Sequence, residues 1–339
     1  MTMKVQVGIN YPWYKYGWDF GTPPKHWKKL DWKSIVKKDI IELKRLGFFA
    51  MRWFILGDGL TYGKGNYAPH SDPAKKRQWR FDDPPELNKK FLRDFEWLLR
   101  CLQKYEMKFV PSLIDFRWCL PGNPVSQNKD EASSLIQKGR VDILIDKSKW
   151  QKFFKRVLKP LLEVSKRYRS VILAWELINE PECIVKESRV TFSDIKEFLK
   201  AGIGRINAAG FASTIGFARW ESLTQWDSAG LGVTLHQFHY YPQPTLKPAE
   251  NKLHPHRFAS EFPCFIGEFA TTTDEYPGEY IYYWPELDLD QSVYAKLILI
   301  EKKKYPYAFL WSMRAKDKAT EWSQQTRDSF SKYKENNNE

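Results

Sequence analysis

Cysteine is scarce: Cys101, Cys119, Cys183 and Cys264 are the only four in 339 residues. Four scattered thiols exclude a disulfide-framework protein. No run of about 18 apolar residues occurs, so no membrane-spanning helix is expected. Met1-Thr-Met-Lys-Val-Gln-Val has no apolar signal core and enters an alternating strand at once. That start predicts a cytoplasmic protein, and a secretion signal removed beforehand would leave the same start. Glycine loops of the Walker or dinucleotide type are missing, so no cofactor is expected. Histidine is rare, at six residues. His236 and His239 have a metal-like spacing, but positions three apart on a strand face opposite ways. His254-Pro-His256 reads as a loop feature, so no metal site is expected either. There is no sequence repeat of 20–50 residues, which excludes solenoids and propellers.

Acidic residues are outnumbered, 41 against 54 basic ones, for a formal net charge of +13. Such a balance favours acidic partners. The basic residues, however, run along helix faces (Lys28, Lys29, Lys33, Lys37 and Lys38, then Lys152, Lys155, Arg156 and Lys159). That is the pattern of a solvated helix surface. No recognition motif accompanies the charge, so no nucleic-acid partner is expected, and the chain reads as a monomer. Aromatic residues, in contrast, are abundant. Fifteen Trp, 17 Tyr and 22 Phe make up 16% of the chain, and many fall in expected loops.

Hydrophobic periodicity gives one long alternation of strands and helices. Strands are expected at 5–10, 48–56, 107–114, 171–178, 211–217, 232–239, 263–268 and 307–311. Between them lie helices at 31–46, 86–105, 148–168 (capped by Ser148), 193–209 (capped by Ser193), 219–226, 253–261 and 289–304. A last helix covers 320–333. Eight strand–helix units with no linker imply a single α/β domain, a (β/α)8 barrel over residues 1–334. Residues 335–339 form a polar tail. The segments after strands two, three and seven (56–85, 115–147 and 269–288) are long, and the loops after helices are short. Barrel enzymes build their sites on the face that carries the former.

The fourth strand ends in Trp175-Glu-Leu-Ile-Asn179-Glu180-Pro181 and the seventh in Ile266-Gly-Glu268. One Glu ending a strand means little. Two, ending strands three apart in one barrel, would face each other across its mouth, as cleavage of a glycosidic bond requires. One carboxyl must be neutral to protonate the leaving oxygen, the other ionised. A neighbouring cation lowers one pKa, and burial raises the other. Arg52, inside the apolar second strand, is the candidate cation; a structural ion pair is the alternative, since a charge there is costly unpaired.

These segments resemble family 5 glycoside hydrolases and their clan of retaining β-glycosidases. Gly8-Ile-Asn-Tyr-Pro-Trp, Met51-Arg52-Trp53, Asn179-Glu180-Pro181, His239-Tyr-Tyr241, Ile266-Gly-Glu268 and Leu310-Trp311 occur in the order that pattern has. The resemblance implies Glu180 as general acid/base and Glu268 as nucleophile, on a β-linked oligo- or polysaccharide or a glycoconjugate. It further implies Asn179 on the sugar 2-hydroxyl, Arg52 and Tyr241 on Glu268, His239 beside Glu180 or the substrate, and Trp311 beneath the reacting sugar. One position departs from the pattern: a His common near the end of strand three is missing, and Asp115 or Arg117 takes that space. A non-catalytic sugar-binding barrel and a transglycosylase are the alternative functions. Cys183 reads as a free thiol without a role. Trp13, Tyr14, Tyr16, Trp18, Trp118, Tyr282, Tyr283 and Trp284 are either further sugar subsites or packing inside long loops.

Overall fold

In the computed structural model the described residues are 4–14, 20–22, 31–56, 84, 86–120, 140–242, 253–254, 262–271, 284, 286–287, 290, 292–315 and 322–336. Eight strands carry the fold: β1 (Gln6–Asn10), β2 (Ala50–Phe54), β3 (Lys108–Asp115), β4 (Trp175–Asn179), β5 (Ser213–Gly216), β6 (His236–Tyr240), β7 (Cys264–Ala270) and β8 (Tyr307–Trp311). All ladders are parallel, in the order β5-β4-β3-β2-β1-β8-β7-β6. The seam between β5 and β6 is closed by a Phe217–Phe238 bridge. There the His239 N–H donates to the Phe217 carbonyl at 2.7 Å, and the Leu235 N–H to that of Ser213 at 3.0 Å. The result is the (β/α)8 barrel expected.

Helices follow from capping and spacing. α1 (Trp32–Arg45) starts at Asp31, whose side chain accepts from the Ser34 N–H, and it buries Val36, Ile40 and Leu43. α2 (Lys89–Lys104) starts at Asn88 and turns Phe91, Phe95, Leu98, Leu99 and Leu102 inward. These rings and leucines lie at the helical period that marks a core-facing stripe. Beyond β3 come two short helices that periodicity did not reveal, α3 (Phe116–Cys119) and α4 (Asp142–Ile145).

The expected helix 148–168 is a composite. α5 (Lys147–Phe153) is capped by Asp146, which accepts from Ser148 and Lys149; Ser148 is a donor here, not the cap. Residues Phe154–Leu158 are π-wound, then α6 (Lys159–Ser165) resumes and a 3-10 turn ends the segment at Tyr168. Pro160 sits at that junction and has no N–H for the carbonyl four residues earlier. After β4, α7 (Pro181–Ser188) also escaped the periodicity reading. α8 (Phe192–Ala208) begins one turn-position earlier than expected, because Thr191 and Asp194 form a reciprocal capping box; Ser193 lies inside the helix. α9 (Ser222–Gln225), α10 (Val293–Lys302) and α11 (Gln324–Asn336) complete the series. The last takes in two residues of the expected tail.

Regular strand geometry in β4 starts at Trp175, not Val171; upstream, Ile172 makes an isolated bridge to Phe109. Much of the three long segments lies outside the described residues, as do residues 255–261, 337–339, Lys28, Lys29, His256, Tyr16, Trp18, Tyr282 and Tyr283. Among the described residues no helix is long and apolar enough to cross a membrane.

Two apolar layers hold the barrel. The larger lies between sheet and helices; the smaller is the barrel floor, made by Ala50, Val110, Ala174, Leu235, Phe265 and Phe309 from strand starts. Above that floor the interior turns polar. Phe309 is fully buried and packs against Phe49 and Phe265, with ring centroids 6.0 and 5.6 Å away. Phe309→Ala should cost about 3–5 kcal/mol, read as a lower midpoint in urea denaturation. A change under about 1 kcal/mol would mean that the floor is not close-packed.

Candidate active site

The site is built outward from one guanidinium. Arg52, in the middle of β2, is buried, and all five of its N–H groups are used. Nε and Nη2 reach the two oxygens of Glu176 at 2.6 and 2.7 Å. Nη2 also reaches Asn179 Oδ1 at 2.7 Å. Nη1 donates to Asn10 Oδ1 at 2.7 Å and to Glu268 Oε1 at 2.6 Å. A buried charge without such partners would cost several kcal/mol. Burial alone would favour the neutral arginine, yet Glu176 and then Glu268 hold it above its ordinary pKa.

Glu176 is the structural half of this arrangement. It accepts from Ser112 Oγ at 2.7 Å and Gln237 Nε2 at 2.9 Å, besides the bidentate arginine. Burial pushes its carboxyl up, but Arg52, helped by donors such as Ser112, holds it below the usual carboxylate range. Glycine makes room for this polar layer. A Cβ at Gly267 would lie 2.4 Å from Gln237 Nε2, and one at Gly216 2.9 Å from Glu176 Oε1. Sequence reasoning missed Glu176, Asn10, Ser112 and Gln237. Glu176 carried the same mark that singled out Arg52, a charge inside an apolar strand.

Glu180 directly follows β4 and caps α7, with φ 46° and ψ 54°. This left-handed backbone costs a side-chain-bearing residue about 1–2 kcal/mol. The turn is held by the Glu180 N–H on the Gly216 carbonyl at 2.7 Å and by Pro181 in the first helical turn. Glu268, in β7, reaches the same space from the other side of the barrel. His239 stands between them, with Nδ1 2.8 Å from Glu180 Oε1 and Nε2 3.6 Å from Glu268 Oε1. One oxygen of each carboxyl and one His239 nitrogen all lie within 4.8 Å of one another. Tyr241 donates to Glu268 Oε2 at 3.0 Å. The structure thus brings together six of the seven residues expected at the site, and Trp311 lines the same cleft.

That cleft has a volume of about 820 Å³. Trp311, at the end of β8, forms part of its wall beside Phe54 and Trp13, with ring centroids 5.8 and 6.3 Å away. Trp13 is fixed by its Nε1–H on the Arg314 carbonyl at 2.8 Å. Asp115, buried at the end of β3, accepts from Asn179 Nδ2 at 3.0 Å and from the Arg117 N–H at 2.9 Å. Arg117 is exposed on the cleft wall. Trp220, which no sequence argument singled out, also lines the cleft, with His254 stacked on it at 5.5 Å. Tyr14, Trp118 and Trp284 are buried packing residues. His236 faces away from the cleft, 2.8 Å from Ser228 Oγ, as the opposite-face reading expects.

The titratable groups are pushed in different directions. Burial, and then the negative charge of Asp115, lifts Glu180 to about 7. Burial also raises Glu268, while His239 and Arg52 oppose the rise. Burial lowers His239 to about 4, so its ring is neutral near pH 7. Cys183 lines the cleft, but burial lifts its thiol to about 12, which leaves it unreactive. Glu180, His239 and Glu268 are also the one set among the described residues whose donor atoms lie close enough to share a metal ion. Both oxygens of Glu268 already accept hydrogen bonds, from Arg52 and Tyr241.

Replacing Arg52 by methionine would leave Glu176 and Glu268 buried without their cation. Stability at pH 7 should fall by about 3–5 kcal/mol. In the variant both carboxyls would have folded-state pKa values above the unfolded ones, so neutral forms stabilise it at low pH and that contribution fades as pH rises. The native protein has the opposite trend through Glu176. Urea midpoints of the two should therefore converge from pH 7 to pH 5; a gap that widens would contradict this account.

No protein-family model and no curated protein matches the sequence. Solved structures do. An endo-1,4-β-mannanase from Eisenia fetida matches with a TM-score of 0.67 and 16% identity, over 97% of this chain and 90% of that one. A β-1,4-mannanase from the sea hare Aplysia kurodai gives 0.63 and 19%, over 98% and 93%. A glycoside hydrolase family 5 mannosidase from Rhizomucor miehei gives 0.52 and 14%, over 98% and 93%. At these identities the likeness is one of fold, and it runs through the whole barrel, from β1 to β8.

Proposed function

We propose that the chain is a retaining glycoside hydrolase that cleaves β-mannosidic bonds in an oligo- or polysaccharide. The observation that carries this reading is the pair of carboxyls, Glu180 and Glu268, facing each other with oxygens within 4.8 Å. Retaining enzymes hold their two carboxyl groups about 5–5.5 Å apart, whereas inverting ones leave about 6.5–9.5 Å for a water. The mannose preference rests on the solved structures of like fold, which are mannanases and a mannosidase.

The surroundings support one division of roles. Gln237 Nε2 donates to the ionised Glu176, so it is also the donor toward His239 Nε2, 3.4 Å away. The proton of the neutral imidazole is then on Nδ1 and points at Glu180 Oε1. Glu180 Oε2 is left to carry the proton that the leaving oxygen takes. Glu268 has Arg52 and Tyr241 as donors and is the ionised partner. In the first step Glu268 attacks the anomeric carbon, the glycosidic bond breaks, and Glu180 protonates the departing oxygen. In the second, Glu180 takes a proton from water, which displaces Glu268 from the anomeric carbon. Trp311 offers a face to the reacting sugar. One Nδ2 hydrogen of Asn179 is held by Asp115, and the other is the donor for the sugar 2-hydroxyl.

Azide separates the two roles. Glu268→Ala should abolish hydrolysis of an aryl β-mannoside, and azide should restore turnover to an α-mannosyl azide. Glu180→Ala should lose about 10²–10⁴-fold on substrates with poor leaving groups, far less on activated aryl ones, and azide should give the β-product. Unchanged activity in either variant, or exchanged anomers, would refute the assignment. The acid must be protonated to act, and its pKa is about 7. kcat/KM should therefore be full below that value and decline as pH rises through it, and Glu180→Gln should abolish this limb. A profile that rises through pH 7 would contradict Glu180 as the acid.

A further inference from the structure

The Asn179 amide is held at both ends. Its Oδ1 accepts from Arg52 Nη2 at 2.7 Å, and one Nδ2 hydrogen goes to Asp115 Oδ2 at 3.0 Å. Because an amide is planar, these two bonds fix its rotation and leave one N–H whose direction is fully determined. Arg52 alone fixes only the oxygen, and the plane would still turn about that contact. Asp115 ends β3 and is paired across the sheet with Asn179 itself. Its other oxygen is taken by the Arg117 N–H, so the carboxylate cannot swing away without uncapping α3. Asp115 is buried.

We propose that Asp115 is a positioning residue that aims the remaining Asn179 N–H at the 2-hydroxyl of the reacting sugar. This rests on the hydrolase reading above and goes beyond it. Asp115 lines the cleft beside Asn179, and the role proposed for it is exercised through the amide. A contact to the 2-hydroxyl tightens in the transition state, so misaiming it lowers kcat more than it raises KM. The effect must also vanish when the sugar has no 2-hydroxyl.

The test pairs protein variants with a substrate deletion. Serine at 115 still caps α3 but is too short to reach Asn179. For each enzyme, kcat/KM is measured on an aryl β-mannoside and on its 2-deoxy analogue, and the ratio of the two is compared. A ratio cancels any general loss. Asp115→Ser should lower the ratio by about tenfold, and adding Asp115→Ser to Asn179→Ala should change it no further. A native ratio near one, or a ratio that Asp115→Ser leaves unchanged, would overturn the proposal.

A second measurement does not depend on turnover. In the native protein one Asn179 side-chain amide proton is held by a carboxylate and the other is not, so their NMR shifts should differ strongly. Asp115→Ser should draw the two resonances together. An unchanged pair would overturn the positioning role even if no glycoside were hydrolysed, whereas a native protein that hydrolyses no glycoside, with a pair that collapses in the variant, would count against the hydrolase reading alone.

Discussion

The five N–H groups of Arg52 fix the polar interior of this barrel. A guanidinium is planar, and its donors form a rigid fork. Satisfying all five in a dry interior dictates where the side chains of β1, β4 and β7 must stand: Asn10, Glu176 with Asn179, and Glu268. A lysine has three donors on a flexible stem and cannot hold four residues in one plane. The same demand explains the small residues around it, since Gly216 and Gly267 leave the volume that Glu176 and Gln237 fill.

One buried cation serves several acids, and this shortage sets their protonation apart. Glu176 takes two of the five donors and is fully ionised as a result. Glu268 takes one, with Tyr241 as a second donor. Arg117 and Arg52 pull the Glu180 carboxyl down, and burial wins there. A second acid, Glu182, is lifted to about 7 for the same first reason. The barrel mouth therefore holds protons near neutrality because its charges do not balance.

Much of this was legible in the sequence. Apolar alternation located all eight strands, and the two strand-end glutamates with Arg52 marked side chains that the fold brings together. The boundaries were less legible because caps are local contests: Asp146 displaces Ser148, and Thr191 with Asp194 displaces Ser193. Short helices such as α3, α4 and α7 have too few turns to show a period. Glu176 was hidden for a different reason. An acid inside an apolar strand gains meaning only from the residue opposite, and pairing across 124 positions is a property of the fold.

Strand alternation also has to fail at one point for the site to exist. Residues three apart on a strand face opposite sides, yet Glu176 and Asn179 both bond Arg52. The pairing of β4 with β5 slips between exactly these two positions' partners, and β6–β7 and β7–β8 slip beside His239 and Glu268. Such irregularities re-aim side chains at the cost of ladder hydrogen bonds. The left-handed turn at Glu180 continues the same deviation by one residue, so that an amide and the acid that follows it enter one cleft side by side. A regular strand would place one of them outside the barrel, where no neighbouring cation, imidazole or partner carboxyl could act on it.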